Sequence, residues 1–219
     1  MIYLFLAEGF EEIEALTPVD ILRRAGKQVT TVGIGGKTVT GSHDISVLSD
    51  VADTDLVLTD ADMIILPGGM PGTLNLDASP VVQNAIDVAL ANGTYIAAIC
   101  AAPTILGKRG LLNGKKATCY PGMESDLMGA ILGEDTVVQD GKIITAAGMG
   151  AALPFALKLV VSAEILANTP RSMGGMMQEA RVYSSVPQLF ALVGVTFFVG
   201  LVLETVFTVL AVAAEKKMQ

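Results

Sequence analysis

A cysteine that could act as a nucleophile lies where a short apolar run of β-forming residues ends. Cys100 follows this run, and the segment after it favours a helix. The stretch from Ala98 to Ala102 reads small-x-nucleophile-x-small, the pattern of a nucleophile elbow, whose small residues permit a strained strand-to-helix turn. Amides at the start of that helix would favour the thiolate form of Cys100 and could bind an oxyanion. A buried structural cysteine is the alternative interpretation, because free cysteine is among the most buried residue types.

Four carboxylates follow the first predicted strand and could activate this cysteine: Glu8, Glu11, Glu12 and Glu14. Glu11 and Glu14 share a face of the predicted helix that could point towards the elbow. Burial and a neighbouring thiolate would raise the pKa of such a carboxyl, which could then donate a hydrogen bond to sulfur and move a proton. The alternative is that these acids are solvated and complement the positive end of the helix dipole.

The composition argues against several classes of function. The 219-residue chain carries a net charge of −8, which disfavours nucleic-acid binding through phosphate contacts. Two cysteines are too few for a disulfide framework, and no cleavable signal sequence precedes the first strand, so we expect a cytoplasmic protein. The single histidine, His43, falls on a predicted hairpin distant in sequence from the elbow, which favours a surface or interface position. Because the carboxylates are scattered, we expect no metal site.

Strands and helices alternate from residue 1 to about residue 167. Continuous apolar runs such as Ile2–Leu6 are typical of parallel strands that are covered on both faces. The alternation predicts an α/β fold with an open, mostly parallel sheet flanked by helices. In such sheets ligands bind beyond the carboxyl ends of the strands, and loops 7–14 and 68–72 meet that condition together with Cys100.

Three motifs in the expected order carry a family resemblance: AEGFEEIEALTPVDILRRAG, ILPGGMPG and AAICAAPTILGKRGLLNGKKAT. Over residues 1–167 they resemble the ThiJ/PfpI superfamily, specifically the branch of the parkinsonism-associated deglycase and its bacterial relatives. The resemblance implies a flavodoxin-like protein, usually a homodimer, in which Cys100 is the nucleophile and Glu14 is the carboxyl that hydrogen-bonds it. It also implies oxyanion-binding amides at Gly69 and Ala101, and no cofactor.

The resemblance further implies activity on a small reactive carbonyl such as methylglyoxal, by a cofactor-free glyoxalase or deglycase reaction. The alternative is a redox sensor without turnover, in which Cys100 is oxidised to a sulfinate that Glu14 hydrogen-bonds. Around this pair we expect Glu11 and Tyr120, the latter in the place where some relatives carry a histidine. PfpI-type proteases have a histidine directly after the cysteine, and Ala101 at that position disfavours peptidase activity.

The resemblance ends near residue 167. Residues 168–187 contain glycines, prolines and several methionines and are predicted to form a linker. Residues 188–214 are almost uninterrupted apolar sequence, broken by Glu204, and predict a hydrophobic helix. One interpretation is a transmembrane tail anchor, because about 20 apolar residues span a hydrocarbon core. The other is a hydrophobic helix that packs against the α/β domain or in a dimer interface.

Overall fold

Strands and helices alternate along residues 1–58 and 61–166, the part of the chain that the computed structural model describes. The strands are β1 (Ile2–Leu6), β2 (Val29–Gly33), β3 (Thr38–Thr40), β4 (Ser46–Leu48), β5 (Val51–Ala52), β6 (Met63–Leu66), β7 (Tyr95–Ile99), β8 (Lys116–Ala117), β9 (Ile131–Leu132), β10 (Val137–Asp140) and β11 (Ile143–Ala146). The α-helices are α1 (Glu12–Arg24), α2 (Gly72–Ala78), α3 (Pro80–Ala91), α4 (Pro103–Lys108) and α5 (Ala152–Leu166).

Seven of these strands form one sheet in the order β10-β11-β7-β6-β1-β2-β5. β10 pairs antiparallel with β11, and every other neighbouring pair in this sheet is parallel. The central strands β1, β6 and β7 are buried along their whole length, as continuous apolar runs require. The predicted α/β fold, with a mostly parallel sheet flanked by helices, is confirmed.

The strand order brings three loops to one edge of the sheet. β6 lies between β1 and β7, and all three strands run in the same direction. Leu66 at the end of β6 pairs with Ala98 near the end of β7, so the two chains leave the sheet side by side. The loops that follow β1, β6 and β7 therefore meet beyond the carboxyl ends of the strands, as predicted.

Residues of the predicted types mark the helix ends. The last turn of α1 carries Arg23 and Arg24, and Gly26 follows it with a φ of 72°. Ser79 caps α3 by accepting a hydrogen bond from a backbone amide at 3.4 Å, and Pro80 is its first residue. These local signals were sufficient to locate both helices.

Two helices differ from the sequence-based expectation. The helix after the elbow begins at Pro103 rather than at Ala101, because proline is pre-organised for the first helical position. The sequence also predicts a short helix near residues 124–131, but the structure contains only the 3₁₀ helix Glu124–Leu127 there. Met128 and Gly129 have positive φ values of 30° and 79°, which ends the helical turn before β9.

The predicted linker (168–187) and hydrophobic helix (188–214) lie outside the described residues, so the interpretation of this segment stays a prediction. Within residues 1–58 and 61–166, no helix combines the length and the apolar character needed to cross a membrane.

Candidate active site

The turn after β7 holds Cys100 in a strained backbone conformation. Its φ is +64°, a value that residues with a side chain rarely adopt outside functional turns. Two backbone hydrogen bonds fix this conformation: the Cys100 amide donates to Ala146 at 2.8 Å, and the Cys100 carbonyl accepts from Tyr120 at 2.7 Å. Ala101 and Ala102, which follow, are small and buried, as the tight turn of an elbow requires. This geometry is that of a nucleophile elbow.

Glu14 projects from the first turn of α1 to Cys100. Its side chain is only 1% exposed, and it forms a hydrogen bond with the thiol of Cys100. The backbone amide of Gly68 donates to Glu14 Oε2 at 3.0 Å. Burial raises the pKa of Glu14 to about 7, although the hydrogen bonds from Cys100 and Gly68 oppose this shift. A carboxyl with this pKa changes its protonation state near neutral pH.

The thiol of Cys100 does not have the lowered pKa that the helix start predicted. Burial, followed by the charge and hydrogen bond of Glu14, raises the pKa of Cys100 to about 12. The backbone amides of Gly69 and Ala101 hydrogen-bond the sulfur and act in the opposite direction, as expected, but they do not outweigh burial. α4 has only six residues and starts after the turn, so its dipole is weak at the sulfur. In the hydrogen bond of this pair, the thiol is the donor and the Glu14 carboxylate is the acceptor.

Adjacent glycines allow the loop after β6 to approach this pair. A Cβ atom at Gly68 would lie 2.6 Å from Cys100 Cβ and 2.6 Å from Glu14 Oε2. At Gly69, where φ is +93°, a Cβ atom would lie 2.4 Å from the backbone nitrogen of Glu11. No side chain fits at either position. Because both residues are glycines, the loop can approach closely enough for the Gly69 amide to reach the sulfur. The glycine pair serves the site rather than a simple turn.

A pocket of about 300 Å³ opens in front of the sulfur. It is lined by Gly69, Met70, Cys100, Ala101, Tyr120, Pro121, Gly122 and Met123. Tyr120 is half exposed, and its ring lies close to Gly148, where a Cβ atom would be 3.4 Å from Tyr120 Cδ2 and 3.9 Å from Cys100 Sγ. Tyr120 and Gly148 thus lie beside Cys100 and Glu14. Tyr120 was predicted from the sequence, whereas Gly148 was not, because its only signal is its place in the loop after a parallel strand.

Glu11 occupies a supporting position behind the pocket. Its backbone amide donates to the carbonyl of Gly68 at 3.0 Å, which anchors the glycine loop on α1. Its charge also contributes to the raised pKa of Glu14. The fold therefore brings together the six predicted residues: Cys100, Glu14, Gly69, Ala101, Glu11 and Tyr120.

A second polar cluster, formed by His43 and the acids at the start of α1, was not predicted from the sequence. His43 and Glu12 are 31 residues apart in sequence, yet His43 Nδ1 lies 2.9 Å from Glu12 Oε2. His43 is exposed as predicted, but it contacts acids of α1, and the carboxylates here are not scattered. No local pattern in the sequence could have indicated this contact, because it depends on how the β3–β4 hairpin folds over the start of α1.

Comparison with known proteins identifies relatives of this chain. Protein dj-1beta of Drosophila melanogaster is 41% identical over 157 residues, which cover 70% of this chain and 84% of the relative. Glutathione-independent glyoxalase DJR-1.2 of Caenorhabditis elegans is 35% identical over 159 residues, which cover 72% and 84% of the two chains. The structure titled "Toxoplasma gondii DJ-1, oxidized" superposes with a TM-score of 0.70 at 34% identity, over 76% of this chain and 95% of that chain. A model of the DJ-1/PfpI family matches residues 1–162. The chain belongs to the DJ-1/PfpI family.

Proposed function

We propose that this protein is a cysteine-dependent, cofactor-free glyoxalase that converts methylglyoxal and related 2-oxoaldehydes into 2-hydroxy acids. The observation that carries the proposal is the hydrogen bond between Cys100 and the buried Glu14, formed at the floor of a pocket. One relative at 35% identity is named a glutathione-independent glyoxalase, which supports this class of reaction. Removal of early glycation adducts by a deglycase reaction would use the same nucleophile.

The reaction begins with addition of the Cys100 sulfur to the aldehyde carbon. The thiol proton passes to the Glu14 carboxylate as the C–S bond forms, and then to the new alkoxide oxygen, giving a neutral hemithioacetal. The raised pKa values fit this order, because the thiol keeps its proton until a carbonyl arrives and Glu14 is the acceptor that it already hydrogen-bonds.

Glu14 then moves a proton between neighbouring carbons. Its carboxylate removes the hydrogen from the hemithioacetal carbon to give an enediolate. The hydroxyl proton then moves to the oxygen of the adjacent carbon, and the carboxylic acid returns its own proton to that carbon, which leaves a thioester of the 2-hydroxy acid. Water hydrolyses the thioester, releasing the 2-hydroxy acid and the free thiol. The net change is the addition of one water molecule, so the reaction needs no external oxidant or reductant.

The amides of Gly69 and Ala101 have a role at each charged stage. Both approach the sulfur, and an oxygen on the carbon bonded to sulfur would lie within their reach. Fixed donors of this kind stabilise the negative charge that develops on oxygen in the transition state. Tyr120, Met70 and Met123 would surround the remainder of the substrate.

Turnover by the purified full-length protein tests the proposal. We expect lactate to form from methylglyoxal without added glutathione. Cys100→Ser should abolish this activity, whereas Cys119→Ser should leave it largely intact, since Cys119 packs in the core. If Cys119→Ser were inactive and Cys100→Ser active, the assignment of the nucleophile would be wrong.

A redox sensor is the second candidate, and a specific contact favours it. The amides of Gly69 and Ala101 and the carboxyl of Glu14 all surround the sulfur, where they could hydrogen-bond the oxygens of a sulfinate. One structural relative is described as oxidized. A protein that is oxidised at Cys100 but does not turn over methylglyoxal would support this function instead.

We also propose a homodimer in the cytoplasm, as the family resemblance implies. Sedimentation of the purified protein would measure its oligomeric state. Fractionation of cells expressing the full chain would show whether the segment after residue 167 attaches it to membranes, since a protein found only in the supernatant would contradict a tail anchor.

A further inference from the structure

A second polar cluster lies at the start of α1, and none of its residues lines the pocket. It consists of Glu11, Glu12 and His43, with Ser42 beside them. One nitrogen of His43 and one carboxylate oxygen from each glutamate all lie within 4.8 Å of one another. The set combines an imidazole with two carboxylates, which are ligands found together around zinc in proteins.

We propose that this cluster binds a divalent transition-metal ion of the Zn²⁺ type through His43 Nδ1 and one oxygen each of Glu11 and Glu12. Bonds of about 2.0–2.1 Å to a tetrahedral zinc ion place neighbouring ligand atoms about 3.3 Å apart. His43 Nδ1 lies 2.9 Å from Glu12 Oε2 and 3.7 Å from Glu11 Oε1, so the two distances bracket this value. Small side-chain movements would complete the site.

The carboxylate of Glu12 is held in place for this role. Its side chain is only 7% exposed, and its Oε1 accepts a hydrogen bond from the backbone amide of His43 at 2.8 Å, which leaves Oε2 facing the imidazole. A hydrogen bond of this kind fixes the orientation of a ligating carboxylate. Gly41 provides the space, because a Cβ atom there would lie 2.3 Å from Glu12 Oε1.

The opposite side of the cluster is open to solvent. The His43 side chain is 67% exposed, so an ion can enter and keep water as a further ligand. Ser42 Oγ lies 3.1 Å from both His43 Nδ1 and Glu11 Oε2, close to the ligand atoms. The presence of an imidazole favours zinc, nickel or copper over magnesium and calcium, which prefer oxygen ligands alone.

An ion pair between protonated His43 and Glu12, without any metal, would explain the same contacts. A metal titration distinguishes this ion pair from a metal site. We would titrate Zn²⁺ into the metal-free, full-length protein by calorimetry. The proposal expects one zinc per chain at this site and a Kd raised at least ~10-fold in His43→Ala and in Glu12→Gln, the lower end of the loss seen when even an outer partner of a metal ligand is removed. Glu134→Gln, which changes an exposed carboxylate elsewhere, should bind as the wild type does.

Two further measurements exclude binding by the cysteines and effects on folding. Co²⁺ at equimolar concentration should give a spectrum without thiolate-to-metal charge transfer, and Cys100→Ser should bind zinc normally. Zinc should raise the Tm of the wild type but not that of His43→Ala, whose exposed position makes misfolding a poor explanation. Unchanged zinc affinity in His43→Ala, or a thiolate spectrum with cobalt, would overturn the proposal.

Discussion

Glu14 Oε2 accepts a hydrogen bond from the backbone amide of Gly68 at 3.0 Å, so the first helix and the loop after β6 are joined directly beside Cys100. This contact compensates part of the cost of burying a carboxyl group. It also fixes the distance between α1 and the glycine loop, because Glu11 makes a second bond to the same residue through its backbone. The position of the Glu14 carboxyl therefore depends on Gly68, a residue without a side chain.

Gly68→Ala should abolish the proposed turnover of methylglyoxal while the fold survives. The added Cβ atom would lie 2.6 Å from both Cys100 Cβ and Glu14 Oε2, so the loop or the carboxyl must move. A displacement of about 1 Å at a catalytic pair costs about 10² in rate, and we expect at least that loss in kcat/KM. Gly150→Ala is the matched control, since a Cβ atom there meets nothing within 4 Å and the turnover should be unchanged. Full activity in Gly68→Ala would contradict the tight packing of this site.

The proximity of Cys100 to the acids after β1 could be predicted from the sequence because its signals are local, whereas the choice of Glu14 among those acids came from the family resemblance. The apolar strand, the small residues around Cys100 and the acids after β1 each lie in a short segment, and parallel strand order brings those segments together. The pKa of Cys100 could not be predicted, because it depends on burial, which no short pattern records. The contact between His43 and Glu12 was missed for a related reason, since it joins residues 31 positions apart through a hairpin.

The rate of methylglyoxal turnover should depend on the protonation state of Glu14. Because burial raises its pKa to about 7, kcat/KM should increase as the pH rises through 7 and then level off, when the carboxylate form predominates. Glu14→Gln should lower the rate by at least ~10² and remove this dependence. Glu134→Gln serves as the control and should keep the wild-type profile. A profile that still rises through pH 7 in Glu14→Gln would assign the base to another group.

The raised pKa of Glu14 also predicts how the stability of the folded protein depends on pH. Glu14 binds a proton more tightly in the folded state, with a pKa of about 7, than in the unfolded chain, where the value is 4.5. Its contribution to stability is therefore fully present below pH 4.5 and is lost as the pH rises through 7. Since each pH unit is worth about 1.4 kcal/mol, the loss is of the order of 3 kcal/mol.

Comparison of the wild type with Glu14→Gln isolates this effect, because all other titrating groups are common to the two proteins. We expect the variant to gain stability relative to the wild type between pH 4.5 and pH 7, and to keep that gain at pH 8. Urea unfolding at several pH values measures the difference in the free energy of unfolding. A difference that does not change over this range would show that Glu14 is not protonated preferentially in the folded state.

Oxidation by peroxide should occur at Cys100 before Cys119. Cys100 lines the pocket and is partly exposed, whereas Cys119 is 4% exposed and packs in the core, so peroxide reaches Cys100 more easily. Hydrogen bonds from Gly69, Ala101 and protonated Glu14 should favour the sulfinate over further oxidation. Mass spectrometry after mild treatment should therefore find two added oxygens on the peptide that contains Cys100. The Cys119 peptide in the same digest is the internal control, and earlier oxidation of Cys119 or of the methionines would argue against a sensor role.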